Sequence, residues 1–277
     1  MLQPAGPFRQ HIEAMRYSLF VGGKRIRPIL CLAAGEAVAK SDETEHNLLP
    51  IACSLECIHT YSLIHDDLPA MDNDHLRRGK PTNHTLFGEA GAILAGDGLL
   101  TWAFDLLSSD QGGTLTAWQQ LKIIQIIAKA AGPQGMVGGQ ALDIASENTE
   151  FPFETLETIH RNKTGRLITC AVQAGAIGAG ASAGQTAKLT AFGNAIGLAF
   201  QIVDDLLNVT ASTEQLGKSA GSDANRGKAT YPAFFGIEKT REKAREAVDR
   251  AIEALGEFGD NADPLRAIAR YVYTRSH

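Results

Sequence analysis

The chain has 277 residues, 44% of them apolar and 21% charged, the make-up of an ordinary folded protein and not of a disordered or fibrous one. A net charge of −5, with no block rich in lysine or arginine, argues against a nucleic-acid binder. The length accommodates one large domain or two ordinary ones.

In chain order, FRQHIEAMRYSLF (8–20) sets Phe8, Ile12, Met15 and Leu19 on one helical face before the Gly22–Gly23 pair. The stretches 26–39, 48–67, 90–107, 115–132 and 187–209 are each apolar-rich and longer than a strand requires. IEKTREKAREAVDRAIEAL (237–255) alternates charge with an apolar stripe, as a surface helix does. No run alternates with period two between hairpin signals, so no strand is expected. Glycine and proline punctuation at 22–23, 112–113, 132–133 and 217–227 is too short for an interdomain linker. The reading is therefore all-α, one domain over residues 1–277, with helices bundled around a shared core.

Residues 167–187 run without a charge for a bilayer's length, but their alanines and glycines suit close helix packing in a soluble core better than stable membrane insertion. The N-terminus lacks a charged-then-apolar signal pattern. Cys31, Cys53, Cys57 and Cys170 show no zinc spacing and are expected as reduced core packing in a cytoplasmic protein.

Two clusters carry the chemistry. LIHDDLPAMDNDHLRRG (63–79) gathers Asp66, Asp67, Asp72 and Asp74 and follows them with Arg77 and Arg78. On an unbroken helix Asp72 would point about 240° from Asp66. Pro69 has no N–H to bond residue 65, so a kink or bulge is expected, with Pro69-Ala70 bringing Asp72 back toward Asp66. FQIVDDLLN (200–208) sets Asp204 and Asp205 on an otherwise apolar helix, with Asn208 one turn on. Adjacent carboxylates repel and lose hydration there, so something positive must compensate, and hard oxygen ligands suit Mg2+ completed by substrate phosphates. The bases Lys24, Arg27, Arg77, Arg78, Lys163, Lys218 and Lys228 supply the complement that a diphosphate needs.

GGKRIRP, HDDLPAMD, LRRGKPTNH, GGQALD, HRNKTG, FQIVDD and LGKSAGSD, in that order along nearly the whole chain, resemble the short-chain trans-polyprenyl diphosphate synthases. The likeness is greatest to bacterial farnesyl and geranylgeranyl diphosphate synthases, which carry the same two-residue insertion. The resemblance implies the isoprenoid synthase fold, a helical bundle around a deep cavity, and a homodimer. It assigns Asp66, Asp67, Asp72, Asp204 and Asp205 to the metal site, with three Mg2+ ions. Arg77, Lys163, Lys218 and Lys228 would neutralise the diphosphate of an allylic substrate. Thr164 and Gln201 would turn oxygens toward the allylic cation, and Phe200 a π face. Lys24, Arg27, His59 and Arg78 would hold isopentenyl diphosphate, and His65 would support the acidic cluster.

Tyr61 lies five residues before Asp66, roughly 7–8 Å down a helix axis. A ring there would floor the cavity and limit the product to farnesyl diphosphate (C15), with geranylgeranyl diphosphate (C20) as the alternative. Two features depart from the family pattern: Asn208 replaces an aspartate, and the stretch before Gly22 is short, so that part of the first helix is expected either to be missing or never to have been present. A terpene cyclase, which needs no second diphosphate site, and a non-catalytic partner subunit are the rival readings.

Overall fold

The computed structural model describes residues 3–109, 113–210 and 230–275. Lys218 and Lys228 lie outside the described residues. Twelve α-helices account for most of the described chain: α1 Arg9–Phe20, α2 Ile26–Val38, α3 Asp42–Asp66, α4 Asn83–Ser108, α5 Ala117–Ala131, α6 Met136–Ala145, α7 Phe153–His160, α8 Arg166–Gly178, α9 Ala183–Thr210, α10 Tyr231–Phe235, α11 Ile237–Ala254 and α12 Asp263–Thr274. A π-helical turn, Arg161–Gly165, joins α7 to α8.

Local chemistry sets several boundaries. Ser41 caps α3, its hydroxyl accepting from the Thr44 N–H at 3.1 Å, and Asp42, Glu43 and Glu45 occupy the positive end of that helix. Thr116 and Gln119 form a capping box at the start of α5. The charge-free stretch 167–187 divides between α8 and the start of α9, with Gly180 at φ +76° in the turn between them. The Leu167 to Val172 side of α8 is core, and Gly175 packs so tightly on α2 that a Cβ would lie 2.0 Å from the Cys31 carbonyl oxygen. Small residues there do serve close packing. Among the described residues one helix, α4, is long and apolar enough to cross a membrane by length and composition, and it packs along α3.

Three expectations are corrected. Leu76–Arg77 pairs antiparallel with Lys80–Pro81, so the described chain does contain a two-stranded ladder. Two-residue strands are too short for a period-two pattern to register. Their turn places both Arg78 and Gly79 at positive φ, the backbone of a tight two-residue hairpin. Helix α3 does not kink at Pro69 but ends at Asp66. Three successive turns follow, and the Asp72 N–H reaches the Asp66 carbonyl oxygen at 2.8 Å, so the chain folds back on itself and Asp72 returns to Asp66. Cys31, Cys57 and Cys170 are buried, but Cys53 is exposed, because it lies on the outer side of α3.

Candidate active site

A cavity of about 370 Å³ opens between α3, α6 and the π turn. Arg27, His59, Tyr61, Asp66, Lys163 and Thr164 all line it. Four of the seven motifs, GGKRIRP, HDDLPAMD, GGQALD and HRNKTG, thus contribute residues to one lining.

The acidic rim is built on the end of α3. Burial, with repulsion from Asp72 and Asp67, pushes the Asp66 carboxyl up to about 6, although Lys163 and Arg77 pull it the other way. A buried carboxylate raised in this way lacks enough positive charge around it. Asp67, by contrast, is 3% exposed and fully engaged. The Arg77 guanidinium grips it from two sides, Nε donating to Oδ2 at 2.9 Å and Nη2 to Oδ1 at 2.6 Å. Asp67 and Arg77, read from the sequence as a metal residue and a phosphate ligand, are here each other's partners. His65 Nε2 lies 3.0 Å from the Ile93 carbonyl oxygen on α4, and its ring meets Tyr61 edge-on at 5.8 Å. Tyr61 is buried one and a half turns below Asp66, in the cavity lining.

A basic cluster occupies the α2 side. Burial drives Arg27 down to about 10 despite Glu56 and Asp204, and its Nε is buried without a hydrogen-bond partner. Burial also holds His59 well below the usual imidazole range, and Arg27, Arg78, Arg77 and Arg25 lower it further. Arg77 and Arg25 are paired with Asp67 and Glu56, so the uncompensated positive charge near this imidazole comes from Arg27 and Arg78. Lys24 is pulled down by burial and then by Arg275 and Arg78, with Asp204 opposing. The Arg78 guanidinium donates to the Gly22 carbonyl oxygen. At Gly23, φ is +124° and a Cβ would lie 2.4 Å from Arg78 Nη1, so only glycine fits. Arg25, which the sequence reading passed over, pairs with Glu56 and donates to the Leu19 carbonyl oxygen at 2.5 Å. Its place inside GGKRIRP was the signal.

Another wall comes from α6 and the π turn, against which α9 packs. Lys163 donates to Asp143 at 2.7 Å, and Thr164 follows it in the cavity lining. Gly139 brings α6 directly onto this turn: a Cβ there would lie 2.3 Å from the Lys163 backbone nitrogen. On α9, Asp204 is half-exposed and pairs with Arg275 at 2.5 Å. The same guanidinium stacks 4.1 Å over the Phe200 ring and donates to the Phe200 carbonyl oxygen at 3.0 Å. Gln201 is half-buried beside them. No local motif announces Arg275, which is why sequence reasoning missed it. Asp205 faces the interior, 6% exposed, and accepts the Tyr231 backbone N–H at 2.8 Å. This structure therefore directs Asp205 away from the rim that the sequence reading assigned it. Asn208 is also interior, at 5% exposed.

Among the described residues, no three His, Cys, Asp or Glu side chains cluster closely enough to hold a metal by themselves. Asp66 lines the cavity and Asp72 is folded back beside it, a carboxylate pair of the kind that suits a cation which fills its remaining positions with ligand oxygens.

The polyprenyl synthetase family model matches residues 9–269. The chain belongs to that family. It is 48% identical over 265 residues to the farnesyl diphosphate synthase of Geobacillus stearothermophilus, spanning 96% of this chain and 88% of that protein. It is 47% identical over 287 residues to the large subunit 1 of the heterodimeric geranylgeranyl pyrophosphate synthase of Arabidopsis thaliana, spanning 100% of this chain and 76% of that one. A geranyltransferase from Helicobacter pylori, solved with magnesium and isoprenyl diphosphate, superimposes with a TM-score of 0.87 at 33% identity, over 99% of this chain and 90% of that one. The protein is an enzyme of the isoprenoid synthase fold, a prenyltransferase.

Proposed function

We propose that the enzyme condenses an allylic diphosphate head-to-tail with isopentenyl diphosphate in a Mg2+-dependent reaction, and that its main product is farnesyl diphosphate. The observation that carries this reading is the cationic cluster of Arg27 and Arg78 around the neutral His59, two turns along α3 from the raised carboxyl of Asp66 in the same cavity lining. One cavity with both a carboxylate rim and a separate cationic cluster has places for two diphosphates.

Lys24, Arg27, His59 and Arg78 hold the diphosphate of isopentenyl diphosphate. Asp66, Asp72 and Asp204 would hold Mg2+, which when bound would supply charge neutralisation for the allylic diphosphate. Lys163, once released from Asp143, adds to that neutralisation, with Lys218 and Lys228 as further cations. The allylic C–O bond breaks and its electron pair leaves with diphosphate. Thr164 and Gln201 turn oxygens toward the resulting cation, and the isopentenyl double bond attacks it to form the new C–C bond. The proton lost in restoring the double bond passes to the released diphosphate. Preorganised charge of this kind is the largest single source of rate in such ionisations. Tyr61 closes the floor beneath Asp66 and supports C15 as the stopping point. The Arabidopsis relative keeps C20 as the second reading.

A homodimer in the cytoplasm, with one catalytic domain per chain, completes the proposal. A terpene cyclase has no use for the second cationic cluster. Radiolabelled isopentenyl diphosphate with dimethylallyl or geranyl diphosphate, with Mg2+ or with a chelator, tests the reading by chromatography. Chelator-sensitive elongation to C15 is expected; no elongation from either primer overturns it.

A further inference from the structure

Asp205 is buried on α9, one residue from Asp204, and its carboxylate accepts the Tyr231 backbone N–H at 2.8 Å. The Tyr231 ring stacks on His160, centroids 5.5 Å apart and planes 14° from parallel. His160 Nε2 comes within 3.6 Å of Asp205 Oδ1, and its Nδ1 is buried with no hydrogen-bond partner. Burial holds this imidazole down near 4, so the contact joins a carboxylate to a neutral ring and is not a salt bridge. His160 is the residue immediately before the π turn that carries Lys163 and Thr164. At the other end of that turn, Gly165 meets α9 again: a Cβ on Gly197 would lie 3.0 Å from the Gly165 Cα. Helix α9 thus touches the π turn at both ends, through Gly197 at one and through Asp205 with Tyr231 at the other.

We infer that Asp205 is a positioning residue, which by fixing Tyr231 against His160 sets where the π turn presents Lys163 and Thr164 relative to Asp204. The inference rests on the proposed prenyl transfer for its catalytic consequence, but its structural core stands apart. A carboxylate directed at a backbone N–H and packed against an imidazole is committed inward. Its neighbour Asp204 faces outward on the same helix. Adjacent acids that look equivalent in sequence therefore divide into one that meets the ligand side and one that braces the turn facing it.

Hydrogen exchange and steady-state kinetics of Asp205→Ala, Asp205→Asn and Asp204→Asn test this in the full chain. Asp205→Ala should speed amide exchange at 161–165 as well as at 231–235, and lower kcat about tenfold or more, the size of one lost charge-assisted hydrogen bond. Asp205→Asn keeps an acceptor for the Tyr231 N–H, so its exchange should return toward the parent and its kcat should exceed that of Asp205→Ala about tenfold. Calorimetric binding of Mg2+ with an allylic thiolodiphosphate should weaken in Asp204→Asn far more than in Asp205→Asn. Unchanged exchange at 161–165 in Asp205→Ala overturns the inference, as does equal weakening of Mg2+ binding in the two asparagine variants. Failure of the underlying reaction has a different signature: the parent enzyme then elongates nothing, while the exchange result still decides the brace.

Discussion

Asp204 and Arg275 stand 71 residues apart in the chain, yet the guanidinium meets the carboxylate at 2.5 Å and stacks on Phe200 one turn earlier. The arginine is 7% exposed, whereas the Asp204 side chain is 42% exposed, so the ion pair itself is screened and contributes little. The buried hydrogen bond to the Phe200 carbonyl and the ring contact carry the larger share. Arg275→Ala should therefore lower unfolding stability by about 1–3 kcal/mol, through the lost hydrogen bond to that carbonyl and the lost packing on the ring. Thermal melts of the two proteins without ligand measure it. A loss no greater than for exchanging a surface arginine such as Arg9 would refute this ranking.

Asp66 sets a pH dependence of opposite sign to the usual one. Its folded carboxyl is raised to about 6 from 3.8, so between those values the folded chain binds more protons than the unfolded chain. Stability of the metal-free protein falls as pH rises through this window, by up to about 3 kcal/mol from this group. Asp66→Asn removes the buried charge. It should melt higher than the parent above about pH 6, converge with it near pH 4, and lose prenyl transfer. Melting curves recorded from pH 4 to 8 in chelator check the first two outcomes; a constant offset across that range would contradict them.

Tyr61→Ala opens the floor of the cavity. The main product should lengthen from C15 to C20 or beyond, and stability should fall by about 3–5 kcal/mol, as when other large buried rings are truncated. Chromatography of the labelled products decides it, and an unchanged C15 product rules out the floor.

Gly23→Ala demands a positive φ from alanine and drives a methyl into Arg78. Because Arg78 belongs to the proposed isopentenyl site, the KM for isopentenyl diphosphate should rise about tenfold or more, while the KM for the allylic substrate changes little. Equal increases in both constants would place Arg78 elsewhere.

Much of the site was legible because its residues are tied to local motifs. Asp66, Lys163, Arg27 and His59 sit on helices whose apolar faces face a common space, so periodicity brings them together. What could not be read depends on partners distant in sequence. HDDLPAMD offers four acidic or polar neighbours, but only Arg77 folding back decides that Asp67 is engaged while Asp66 is strained. Pro69 correctly signals a break in the helix, yet whether the chain kinks or turns back is settled by the Asp72 N–H finding the Asp66 carbonyl. The Asp204–Asp205 pair looks symmetrical until Tyr231 claims one of its members. Cys53 is four residues from a buried cysteine and was read as sharing its fate, but it lies on the outer side of α3.

The contact at Gly139 has a consequence for how such an enzyme can change. With α6 resting on the Lys163 backbone, even one added carbon at Gly139 displaces the turn that carries Lys163 and Thr164. Tyr61 is on a different helix, α3, and lines the same cavity as Lys163 and Thr164. A change at Gly139 therefore moves the turn itself, whereas a change at Tyr61 reshapes the cavity from the α3 side.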